Sequence, residues 1–291
     1  MDLNEAMSAL QGFQSETCKK TYLRHGAKEP LFGVRTGDLG TLAKRIQVDH
    51  ALAKALITTG NADARLLGFM IADPSKLDVA TVEGWLSSAV WPMDTYYLGQ
   101  LLARSAIWQA CMARFMAQSD EWVQSAGYSL LAQRLKEEPE SISDELAAKT
   151  LVVIEKGIHK AKNRARYNMN TALIAIGTYK PSLRQAALAA AERIGPVDVD
   201  HGDTDCKTPL ASEYIRKAGA HADRMAEKKA AKKPAATKTP TATKKPAATK
   251  KPSATKKPAA AKTPAATKKP AAMKKPVDAK KLAAAKKASA R

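Results

Sequence analysis

"ALAKALITTGNADARLLGFMIADPSK", residues 51–76, decides the fold. Leu52, Ala55 and Leu56 recur at the three- and four-residue spacing that brings side chains onto one face of an α-helix. Gly60 interrupts the run, a second apolar segment opens at Ala62, and Pro74 closes it. The stretch therefore predicts two short helices, near 49–59 and 62–72, turned back on each other by a tight connector. Working outward, the same pattern repeats, as in Leu98, Leu101 and Leu102, with further stops at Pro92, Pro139, Pro181 and Gly195. Helices are predicted near 3–12, 15–25, 36–47, 78–89, 93–105, 107–117, 120–136, 142–158, 163–178, 182–194 and 208–224. The alternation of a half-buried strand is nearly absent from residues 1–227, which are rich in Ala and Leu. Short connectors suit antiparallel neighbours, and a long series of them suits an all-α, α-solenoid stack of helical hairpins. Such a stack leaves one curved face free for binding. A plain globular helical domain is the alternative.

The chain divides by charge. Residues 228–291 hold 21 of the 48 basic residues and one of the 28 acidic ones, Asp278, so residues 1–227 are charge-balanced. Prolines stand six apart from Pro234 to Pro276, mostly behind lysine pairs such as Lys244–Lys245, Lys250–Lys251 and Lys256–Lys257. Only Met273, Val277 and Leu282 are large and apolar there, too few to offset the entropy of ordering. The expectation is a disordered, extended tail, each repeat spanning roughly 19 Å in polyproline II. Its lysines would meet phosphates without reading bases. Two domains are thus expected, 1–227 and 228–291.

Cys18, Cys111 and Cys206 lack the spacing of a zinc ribbon or disulfide framework, and no metal or cofactor is expected. The N-terminus, MDLNEAMSALQGF, has no charged n-region before an apolar core, and no run is long enough to span a bilayer. A cytoplasmic, DNA-associated monomer without membrane contact is expected.

Three stretches could carry chemistry. In "VEGWLSSAVWPMDTYYLGQLLARS" (82–105), Trp85 and Trp91 precede Asp94, and Tyr97 follows. Pro92 suits the first helical position, which places Asp94 in the first turn. The group reads either as core aromatics with a helix-starting carboxylate, or as an aromatic cleft with one carboxylate for a cationic ligand. In "KGIHKAKNRARYNMNTALIAIG" (156–177), Lys160, Lys162, Arg164 and Arg166 gather at a helix junction, where phosphate contact is favoured over a solvated charge run. "GPVDVDHGDTDCKTPLASEYIRKA" (195–218) matches no common metal spacing. Thr208–Pro209 reads there as a helix start, and Lys207 as one more phosphate contact.

Taken in order, "FGVRTGDLGTLAKRI" (32–46), "ARLLGFMIAD" (64–73), "WLSSAVWPMD" (85–94), "RYNMNTALIAIG" (166–177) and "VDHGDTDCKTPLASEYIRKA" (199–218) resemble the DNA alkylation repair family of HEAT-like repeat proteins, over about residues 15–220. The tail resembles those of linker-histone-like proteins. The family resemblance implies a concave face that cradles double-stranded DNA. It also implies a glycosylase that removes cationic N3- and N7-alkylpurines, with Asp94 as catalytic carboxylate and Trp91, Trp85 and Tyr97 against the lesion. The chain departs from the active pattern at two places. "EWVQSAGYSLLAQRL" has no basic residue before Arg134, and "NMNTALIAIG" has no tryptophan. A non-catalytic DNA-binding or architectural protein is therefore the second expectation.

Overall fold

The structure, a computed structural model, describes residues 1–232, which lie in one compact unit. The repeats carrying Lys244 to Lys257, and most of the expected 228–291 tail, lie outside the described residues.

Thirteen α-helices follow one another among the described residues, and there is no strand. They are α1 Leu3–Gly12, α2 Glu16–Arg24, α3 Thr36–Ile46, α4 His50–Thr58, α5 Ala62–Ile71, α6 Val79–Leu86 and α7 Pro92–Ala103, then α8 Trp108–Met116, α9 Glu121–Glu137, α10 Asp144–Gly157, α11 Asn163–Tyr179, α12 Arg184–Ile194 and α13 Ala211–Lys232. Polar side chains start most of them. Asp2, Ser15, Asp49, Asn61, Asp78, Asp120 and Ser143 each accept a first-turn amide, and Asp2 with Glu5 completes a reciprocal capping box.

The packing makes two layers. Helices α5, α7, α9, α11 and α13 form an inner row in which each packs on the next. Helices α4, α8, α10 and α12 back this row, and α4–α5, α8–α9, α10–α11 and α12–α13 are hairpins. The inner helices are enclosed on most sides: α9 is buried almost continuously from Ser125 to Leu135, and α11 from Ala172 to Thr178. That is why neither has a strong polar-to-apolar stripe in sequence. The backing helix α10 by contrast exposes Val152 and Val153.

Glycine sets the spacing of these contacts. A Cβ on Gly127 of α9 would lie 2.6 Å from the Met116 amide nitrogen of α8, so the two backbones meet where no side chain fits. A buried polar ladder ties three inner helices together. Asn168 Nδ2 of α11 donates to Ser125 Oγ and O of α9 at 2.7 and 3.1 Å, and Ser125 faces Thr95 of α7. Between α2 and α3 the chain has no regular structure, yet Asp63 of α5 accepts the amides of Phe32, Gly33 and Val34 at 2.6–2.9 Å.

The last helix begins at Ala211 and not at Thr208. Thr208 and Pro209 are engaged elsewhere: Thr208 Oγ1 lies 3.0 Å from His201 Nε2, and the Pro209 carbonyl accepts Asn170 Nδ2 at 2.9 Å. The helix also runs past the expected boundary at residue 227, to Lys232.

Candidate nucleic-acid interface

Trp91 caps the N-terminus of α7, Pro92 is its first residue, and Asp94 lies in its first turn, 1% exposed. One carboxylate oxygen reaches back to accept the Val90 amide at 2.9 Å. The other lies 2.9 Å from Nε of Arg65 on α5, with the N–H not aimed at it, so charge rather than a directed hydrogen bond holds the pair. Arg65 is itself 6% exposed and donates to Ser88 Oγ at 2.6 Å and to the Trp85 carbonyl. Burial pushes the Asp94 carboxyl up, while Arg65 and the neighbouring amides pull it back.

Both tryptophans are core residues. Trp91 is 1% exposed and stacks at a tilt on Tyr22, with ring centroids 5.0 Å apart. Trp85 packs on Phe69 at 5.8 Å. Trp85, Trp91, Asp94 and Arg65 border one hollow of about 440 Å³ that also takes in Lys28 and Ser88. Tyr97 is not among them. It lies farther along α7 in a groove with Gln100 and Arg104, against Met70 of α5 and Glu137 of α9.

Sequence reasoning missed Arg65, although its signal was present. A guanidinium in the otherwise apolar "ARLLGFMIAD" has to find a carboxylate inside.

The basic cluster at the α10–α11 junction is split. Lys160 and Lys162 are exposed. Arg166 is spent on the fold, donating to the carbonyls of Ala161 and Asp198 at 2.8–3.2 Å. Arg164 borders a hollow of about 350 Å³, where the N-terminal ends of α7, α9 and α11 meet the end of α2 and the 200–202 loop. Its guanidinium lies over the Tyr167 ring at 4.6 Å, and burial lowers its pKa. Glu121 and Asp200 line the same hollow and offset the positive charge of Arg24 and Arg164.

Lys207 is far along the chain from these groups but joins Lys136 at a separate groove. That groove, about 490 Å³, crosses α9, α11 and α13 and is bordered by Tyr167, Tyr179 and Tyr214. These tyrosines were not singled out in the sequence, because three rings on two helices and scattered over 48 positions form no local motif. Among the described residues no group of three or more His, Cys, Asp or Glu side chains is placed to hold a metal ion, and no helix is long and apolar enough to cross a membrane.

Residues 6–233 match the family described as DNA alkylation repair enzyme. The chain belongs to that family. Its fold is the HEAT-like repeat solenoid: a solved structure 30% identical to it superposes with a TM-score of 0.71, over 77% of this chain and 95% of the other. That structure represents a group described as a new family of proteins related to the HEAT-like repeat DNA glycosylases, with affinity for branched DNA structures. Uncharacterized proteins of Listeria monocytogenes and Listeria innocua are 30% and 28% identical. Each match covers 72% of this chain and 93% of the relative.

Proposed function

We propose that this member of the family binds DNA through its helical repeats without releasing bases, and that the lysine-rich segment after the repeats holds it on the polymer by phosphate contacts. The observation that carries this reading is the state of Asp94. A carboxylate that stabilises a cationic sugar or positions a water needs uncompensated charge facing the substrate, and this one, which borders its hollow but is 1% exposed, is already matched by a guanidinium. The missing arginine and tryptophan of the active pattern point the same way. So does the solved relative, described as having affinity for branched DNA. The glycosylase reading gains support from family membership alone.

The test is a base-release assay. Full-length protein is incubated with duplex DNA carrying N3- and N7-methylpurines, and abasic sites are counted. No release above the uncatalysed background is expected, alongside salt-sensitive binding of the same duplex. Release that disappears in Asp94→Asn, with the fold intact, would overturn the proposal in favour of the glycosylase.

A further inference from the structure

Among the described residues, the groove across α9, α11 and α13 differs in charge and in chemistry from the hollows around Arg164 and Arg65. Lys136 and Lys207 border it, neither is in an ion pair with another described residue, and no described acidic residue borders it. The hollow around Arg164 contains two carboxylates and the one around Arg65 contains Asp94 and Glu29. The Tyr167 ring is fixed by the Arg164 guanidinium and, edge-on at 5.6 Å, by His201. Tyr214, 51% exposed, borders the groove from α13, and Tyr179 borders it from the end of α11.

One buried group on the groove is unexplained by the fold. Thr178 is 6% exposed, and its hydroxyl has no hydrogen-bond partner among the described residues. A buried hydroxyl without a partner carries an unrecovered desolvation cost, which an incoming polar group can relieve. The groove follows α11 from Tyr167 through Thr171 and Ala175 to Thr178, roughly 16 Å of helix. That length accommodates about five stacked nucleotides of one strand at 3.4 Å each.

We propose that this groove holds an unpaired segment of a DNA strand, with bases against the tyrosine rings, phosphates at Lys136 and Lys207, and a polar base or sugar atom on the Thr178 hydroxyl. Aromatic faces accept any base, and lysines meet the backbone, so the site selects strand state and not sequence. The inference rests on the DNA-binding reading above and specifies which form of the polymer the helical repeats prefer. Paired bases stay stacked on one another and offer no free face to a tyrosine.

Fluorescence anisotropy on the full chain tests this, with a labelled oligothymidylate and a blunt duplex of equal phosphate number, both long enough for the duplex to stay paired. The single strand is expected to bind more tightly than the duplex at equal salt. Tyr214→Ala should weaken single-strand binding roughly 5- to 150-fold, and Tyr214→Phe should restore it. Thr178→Val, close in shape to the native side chain, should weaken it in the same direction while leaving the thermal midpoint unchanged or higher. Equal affinity for the two probes, an unaltered single-strand affinity in Tyr214→Ala, or full competition by polyglutamate of equal charge would each overturn the groove assignment. Tight duplex binding without single-strand preference removes this inference and leaves the DNA-binding reading standing. Binding to neither probe removes both.

Discussion

Converting Asp94 to asparagine would leave the Arg65 guanidinium in the interior with only a hydroxyl and a carbonyl as partners. Removing one member of a buried ion pair typically costs about 3–5 kcal/mol. Asp94→Asn is therefore expected to lose about 3 kcal/mol in urea denaturation, and Arg65→Met with Asp94→Asn to lose less than the sum of the single changes. A purely catalytic carboxylate would show neither effect. At this scale the sequence was half legible. Pro92 at the first helical position and Asp94 in the first turn could be placed from spacing. Whether Asp94 faced solvent could not, because that depends on a partner 29 residues earlier on another helix. Arg164 and Arg166 show the same limit: two residues apart and chemically alike, one is consumed by carbonyls and the other is not.

At the scale of the element, the inner helices are set by backbone approach as much as by apolar burial. Alanine favours helix over glycine by about 1 kcal/mol, yet at Gly127 the added methyl would press on the α8 backbone. Gly127→Ala is expected to destabilise by roughly 1–3 kcal/mol, the usual range for overpacking, with the sign checked by thermal melting. The helices other than the last were legible to within a few residues, from periodicity, polar caps and proline stops, whereas the last, expected to end near 224, runs on to Lys232. The short 3-10 turns at Pro74–Lys76, Pro139–Ser141 and Pro181–Leu183 were not distinguished from stops, because proline at a first helical position serves both. The start of α13 was displaced for a tertiary reason: Thr208, a good cap in isolation, is engaged by His201.

For the whole molecule, the division of labour follows from charge. Residues 233–291 hold 18 of the basic residues, so deleting them removes up to about 16 units from the slope of log affinity against log salt. Truncation after Lys232 is expected to flatten that slope and weaken binding to every sequence about equally, as titrations at several salt concentrations would show. Loss confined to one sequence would contradict backbone-only contact. Segregated charge and repeated prolines were fully legible, being compositional. The stacking of hairpins into two layers was legible as a class, but the grooves that cross three helices were not, since each is assembled from residues tens of positions apart.

The grip of Asp63 on three successive amides changes how the amino-terminal end should be pictured. A strap without helix or strand is there anchored as firmly as the rods it joins. The link between the second and third helices is thereby moored to the fifth. The final helix is held in another way, by buried Ala211 and Ile215, by the part-buried pair Arg184–Asp223 and by the exposed pair Arg216–Glu192, the last of which water and salt can loosen.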